Sequence, residues 1–255
     1  MKIIDSHLHL DIVHDIAIME YMRHNLLAVV IWAYCEPQPT TFAELSAYYE
    51  RQAAFAVNCT AKGLPCFRLA GIHPRNIPTA ESASQEKVDK LLTSQLGQVY
   101  GIGEIGLEKG TNAEKEILAM QIDFARRHCL KACIHTPRKN KNVMMLPMLE
   151  IVEKSGIPKE NVLIDHLDSI KLVKEVVNMG CYVGITISPA KSKLMDVLSM
   201  LRENNGKFNQ IMLNSDLAVP DLTGYELYVE SVKALPPEYN CVAAQTALNF
   251  FGMKL

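Results

Sequence analysis

The stretch Asp5-Ser6-His7-Leu8-His9-Leu10 sets two imidazoles two residues apart, directly after Ile3-Ile4. Side chains at i and i+2 of a strand point to the same face, so His7 and His9 project together. Two imidazoles side by side can ligate a divalent cation. A lone His-x-His is also explained by one core histidine bonded to backbone and one facing a loop, so the other ionisable residues decide. Of the eight histidines, His14, His24 and His128 lie in segments of helical period, where surface or packing roles suffice. His7, His9, His73, His135 and His166 lie at or beside the C-terminal ends of apolar runs, and Glu104 and Asp216 stand at the same level on two more. Each alone has an ordinary explanation: Glu104 pairs with an arginine, Asp216 caps the next helix, His166 bonds a carbonyl. Seven on one rim point instead to one site. Five imidazoles and two carboxylates without a thiolate suit zinc, manganese or nickel better than calcium or magnesium, and make His7 and His9 two ligands of a shared metal.

The elements that must position these residues are eight short runs rich in Val, Ile and Leu: "KIIDSHLHL", "LLAVVIWAY", "CFRLAGIHP", "VYGIGEIGLE", "KACIHTP", "NVLIDHLD", "YVGITISP" and "IMLNSDL". Each is followed by a polar turn and a stretch of helical period. Strands alternating with helices argue for a parallel sheet, and eight such units within 255 residues point to an α/β fold, a closed (β/α)8 TIM barrel. No long linker or low-complexity tract interrupts the chain, so residues 1–255 are expected to form one domain. The C-terminal end of such a barrel is where active sites form. No glycine-rich phosphate fingerprint follows the first strand, which disfavours a dinucleotide fold. In one helical segment Thr111 and Glu114 make a capping-box signature, Ile117, Met120, Phe124 and Ala125 an apolar stripe, and Arg126, Arg127 and His128 a cationic end. The methionines of "VMMLPMLEIV" read as core filling, and "AAQTALNFFGMKL" as a helix that closes the barrel.

The formal charge of −2 excludes a uniformly basic surface while leaving room for a local basic patch. No apolar run approaches the roughly 18 residues of a membrane helix and the chain enters a strand at once, so a soluble, cytoplasmic protein is expected. Seven cysteines, an odd number without a Cys-x-x-Cys pair, read as reduced thiols acting as small hydrophobes. Trp32 and Tyr34, two apart at the end of the second run, are expected to fill space between barrel and helices.

Across nearly its whole length the chain, through His-x-His, then "GIHP", "GIGEIGLE", "IH", "DH" and "SD", resembles the TatD branch of the amidohydrolase superfamily. The resemblance implies a (β/α)8 barrel holding two divalent ions, and the better-known members are metal-dependent deoxyribonucleases. Carried over position by position, it implies that His7, His9 and Asp216 bind the first metal, that His135 and His166 bind the second, and that Glu104 bridges both. His73 matches a family histidine that contacts substrate. The chain departs from the family at Glu108, where an aspartate is usual, at Thr136-Pro137, which displaces the family's arginine to Arg138, and at "NSDLA", which lacks the serine-proline ending. With "HTPRKNK" and "SPAKSK" it looks closer to a less studied TatD-like subgroup of predicted hydrolases.

The expected chemistry is hydrolysis by a metal-bridging hydroxide, with ions about 3.5–4 Å apart polarising the substrate and Asp216 accepting and returning the proton. Arg75, Arg138, Lys139, Lys141, Lys191 and Lys193 fall in loops on the same rim, and Arg138 is the expected substrate clamp. A phosphate-containing or other small-molecule substrate follows, with single-stranded DNA ends among the candidates. Three function classes stand: a phosphodiesterase or nuclease, a hydrolase of a small molecule's C–N or C–O bond (amide, lactone or ester), and a binding protein that has lost catalysis. The full set of rim residues argues against the last.

Overall fold

Each apolar run becomes a parallel strand in the computed structural model, which describes residues 1–204 and 206–255. The strands are β1 (Ile4–Leu8), β2 (Ala28–Ile31), β3 (Cys66–Arg68), β4 (Ile102–Gly106), β5 (Ala132–His135), β6 (Val162–Ile164), β7 (Tyr182–Thr186) and β8 (Ile211–Asn214). At least one helix separates each strand from the next, the longest being Phe42–Ala61, Asn112–Arg127 and Lys141–Ser155. Two continuous ladders run β1-β2-β3 and β4-β5-β6-β7-β8. Backbone hydrogen bonds join them into a ring. At one seam Tyr100 N–H donates to Arg68 O at 3.0 Å and Gly103 N–H to Ala70 O at 3.1 Å. At the other, Asp216 N–H donates to His7 O at 3.0 Å and His9 N–H to Leu217 O at 2.8 Å. The result is a (β/α)8 barrel, and its last seam is made by residues of the histidine rim.

Alternation along the strands separates two apolar regions. Ile4, Val30, Leu69, Cys133, Leu163 and Met212 form one cluster with Ala247, Phe250 and Phe251 of the helix Gln245–Phe251. The C-terminal helix therefore closes the barrel from below, as its sequence implies. Fully burying a side chain such as Phe250 contributes about 1.5–3 kcal/mol, so this floor is a substantial part of the core. The second cluster packs the outer strand faces against the helices. Met145 and Met148 lie buried there, as core filling.

Three local expectations change. Thr111 caps the helix Asn112–Arg127, its hydroxyl accepting from Glu114 N–H at 3.2 Å. The Glu114 carboxylate instead accepts from Glu108, Lys109 and Gly110 N–H at 2.9, 2.9 and 2.8 Å. Three converging donors outweigh the one bond a capping box offers, and they fix the loop that carries Glu108. Trp32 does not lie between barrel and helices. It sits inside the barrel, stacked on the His7 ring at 3.8 Å between centroids, and donates its indole N–H to Ser6 O at 2.8 Å. All seven cysteines are free thiols; Cys129 is exposed and departs from the role of small buried hydrophobe. Among the described residues no helix is long and apolar enough to cross a membrane.

Candidate metal centre

All seven rim residues meet at the C-terminal mouth. His7 lies in β1, Glu104 in β4 and His135 at the end of β5, while His9, His73, His166 and Asp216 follow β1, β3, β6 and β8. His166 (φ 62°) and Asp216 (φ 51°) adopt the left-handed backbone region that non-glycine residues avoid. Such conformations cost about 1–3 kcal/mol each and persist where surrounding structure imposes them.

His7 Nε2 and His9 Nε2 are 3.3 Å apart, each is 3.4 Å from Glu104 Oε2, and they lie 3.7 and 3.5 Å from Asp216 Oδ1. A tetrahedral cation with bonds near 2.0–2.1 Å needs donors about 3.3–3.4 Å apart, so this set fits an ion of zinc-like size. The other oxygen, Glu104 Oε1, faces a second group: His135 Nδ1 at 2.7 Å, His166 Nε2 at 3.6 Å and His73 Nε2 at 3.7 Å. His135 Nδ1 is buried and makes no hydrogen bond of good geometry among the described residues.

Hydrogen bonds to the far nitrogens decide which face of each ring carries a proton. His9 Nδ1–H donates to Trp32 O at 3.1 Å, and His7 Nδ1–H to Asp165 Oδ2. His166 Nδ1–H donates to Thr186 Oγ1 at 2.7 Å, and His135 Nε2–H to Glu108 Oε2 at 3.2 Å. All four therefore point at Glu104 the ring nitrogen that is free for an ion to claim, as metal ligation requires. His73 is the opposite case. Its Nδ1 accepts Arg75 N–H at 3.0 Å, which puts the proton on Nε2 and makes this ring a donor into the cleft.

Burial by itself would raise the Glu104 carboxyl, but His7, His73 and His135 hold it well below its usual range. Burial likewise opposes ionisation of Asp216, which His166 and Lys191 outweigh. Burial pushes His73 down to about 3 and His166 down to about 4. For His7 burial is overcome by Glu104 and Asp165, which push it up to about 10; His135 is raised the same way by Glu104 and Glu108. The mouth thus holds anionic carboxylates and attracts protons where no other cation is bound, the electrostatics of a cation site.

Around it, most rim cations already have partners. Arg75 Nη2 pairs with Glu108 at 2.5 Å, Lys141 with Asp168 at 2.6 Å and Lys191 with Asp216 Oδ2 at 2.5 Å. Lys193 donates to the backbone oxygens of Ser188 and Pro189. Arg138 and Lys139 have no carboxylate partner among the described residues, and Arg138 is exposed beside the cleft. Arg138, Lys141 and Lys191 line a cavity of 460 Å³ that shares His166 with the histidine cleft. Tyr34 forms the opposite wall, its ring 5.4 Å from His9 and 5.0 Å from His73. The sequence assigned no role to Asp165, although Leu163 faces the barrel interior and residue 165, just past the strand, is in phase with it; an aspartate in that phase was the available signal.

The chain is similar to proteins of known sequence and structure. An uncharacterised metal-dependent hydrolase of Methanocaldococcus jannaschii is 28% identical over 220 residues, covering 84% of this chain and 83% of the relative. The crystal structure of a TatD-like protein from Archaeoglobus fulgidus superposes with a TM-score of 0.81 at 27% identity, over 98% of this chain and 100% of that one. The phosphotriesterase homology protein of Escherichia coli, complexed with phosphate in its active site, shares the fold at a TM-score of 0.76 and 14% identity, over 98% of each chain. Residues 4–236 match the TatD related DNase family, and the chain belongs to it as a metal-dependent hydrolase.

Proposed function

We propose that residues 1–255 act as one barrel domain in the cytoplasm, hydrolysing phosphodiester bonds with two divalent ions of the zinc, manganese or nickel type. One observation carries the reading: Glu104 turns Oε2 to the His7/His9/Asp216 donors and Oε1 to His135 and His166. His7, His9 and Asp216 would hold one ion, His135 and His166 the other, and Glu104 both. When bound, such ions supply Lewis acidity, bringing the pKa of water toward neutrality and polarising the scissile group.

The chain's own side chains do the rest. Asp216 is held by Lys191 at Oδ2 and presents Oδ1 to the centre, where it takes the proton of the attacking water and returns it to the departing oxygen. His73 Nε2–H donates to a substrate oxygen, which its neutral state at working pH permits. Arg138 clamps a non-bridging phosphate oxygen, its fork matched to that geometry. Single-stranded DNA ends could enter along Tyr34, the aromatic wall of the cleft.

A second reading, hydrolysis of a small molecule's amide, lactone or ester, is favoured by the pairing of Arg75, Lys141 and Lys191, which leaves few cations for a polyanion. Turnover of bis(p-nitrophenyl) phosphate and of a single-stranded oligonucleotide by ion-reconstituted protein tests the choice. Metal-dependent cleavage of both supports the phosphodiesterase. Cleavage of lactones or esters with neither phosphodiester attacked establishes the second reading instead.

A further inference from the structure

Asp165 lies one residue past β6, is fully buried, and stands close enough to His7 and His166 to be taken for a ligand. Both its oxygens are already occupied. Oδ2 accepts from His7 Nδ1, and Oδ1 accepts His166 N–H at 2.6 Å and the Asn214 amide at 2.9 Å. That last bond leaves Asn214 a single orientation, with its own oxygen turned to Thr186. The Thr186 hydroxyl donates to that oxygen at 2.8 Å and so accepts from His166 Nδ1–H, at 2.7 Å; Lys191 Nζ also stands 3.1 Å from Nδ1, its ammonium bonded to Asp216 Oδ2 at 2.5 Å. One carboxylate thereby dictates the proton position on two imidazoles, directly on His7 and through Asn214 and Thr186 on His166.

The barrel is built to admit this side chain. A Cβ on Gly184 would fall 1.9 Å from Asp165 Oδ1, so β7 carries a glycine where the carboxylate sits. Two residues along the same face, β7 supplies the Thr186 hydroxyl.

We propose that Asp165 is a positioning residue that presets both histidine sets at once, fixing a proton on Nδ1 of His7 and of His166 so that Nε2 of each is the nitrogen an ion can claim beside Glu104. This rests on the proposed assignment of those histidines as ion ligands. A neutral His left to choose would divide its proton between two nitrogens, and the tautomer protonated at Nε2 cannot ligate.

Asp165→Asn makes a directional test. The position facing His166 N–H and the Asn214 amide must remain an oxygen, so the new NH2 faces His7 Nδ1 as a donor. That forces the His7 proton onto Nε2, toward the centre, while the Asn214–Thr186–His166 relay stays intact. Thr186→Val does the converse, removing the acceptor of His166 and sparing His7. Calorimetric titration of chelated, correctly folded protein with zinc reads the outcome. Wild type is expected to take up two ions. Each variant should weaken one ion by about 10–100-fold, the usual cost of losing a partner behind a ligand, and the double variant should weaken both. A purely structural role would lower both affinities together in each single variant, and that pattern, or unchanged affinities, would overturn the inference. Should Asp165→Asn not fold, Thr186→Val alone still decides: one weakened ion supports the relay, two unchanged ions refute it. Wild-type protein that takes up no ion would refute the ligand assignment itself, a separate failure.

Discussion

The two ends of the barrel are held together by different physics. At the floor, Leu163, Met212, Phe250 and Phe251 meet as apolar surfaces without directional bonds. At the mouth, His7, His9, Glu104 and His135 are as thoroughly buried, yet every ring has a named hydrogen-bond partner on its far side. Apolar packing tolerates exchange at conserved volume. A buried polar network does not, because one reversed donor leaves a charge or lone pair unmatched where water cannot reach it. Isosteric substitutions should therefore be nearly silent at the floor and severe at the mouth.

The largest effect is expected from Glu104→Gln, which keeps the shape but turns an NH2 toward one of the two donor sets. Activity should fall by about 10³-fold or more, as expected when charge stabilisation at a reacting centre is lost, together with ion uptake measured by elemental analysis. Full ion content with wild-type turnover would remove Glu104 from the site. A smaller effect is expected from pH. His7, pushed up to about 10 by Glu104 and Asp165, takes a second proton on Nε2 where no ion is bound, and His135 is raised in the same direction by Glu104 and Glu108. Because the displaced groups have raised pKa values, ion affinity should climb with pH and weaken on acidification, by about tenfold per pH unit for each proton released. Titration in two buffers of different ionisation enthalpy counts those protons, and a count of zero contradicts the assignment.

Arg138→Ala should act on substrate rather than on ions. Loss of one exposed clamp is expected to raise KM by about tenfold, consistent with a single charge-assisted hydrogen bond, with ion content unchanged; an unaltered KM would dismiss the clamp. At the floor, Met212→Leu should leave kcat and ion content alone and cost less than about 1.5 kcal/mol of stability by denaturant unfolding. A larger loss, or altered ion uptake, would break the contrast between the two ends.

The same contrast explains what the sequence made legible. The eight apolar runs and their helical spacers specify the barrel through periodicity, and the polar interruptions at the run ends mark the rim, because charged groups rarely occur there without a purpose. Burial of Trp32 within the barrel was not legible, since an aromatic after a strand fits either side of the sheet equally well. Glu114 misled because its capping signature is local, whereas its carboxylate answers three donors from a loop whose course depends on tertiary structure. Asp165 was hidden for a similar reason: its partners Asn214 and Thr186 are 49 and 21 positions away, and only the closed ring brings them together.

In the proposed function, Glu104 joins two ion sites in one mouth. The stoichiometry of ion binding tests this, measured by titrating chelated protein with zinc or manganese and confirmed by elemental mass spectrometry. Two equivalents per chain for the wild type, with both lost or weakened in Glu104→Gln, is the predicted result. A wild type that binds one equivalent or none, or a variant that binds both as tightly as wild type, would contradict it.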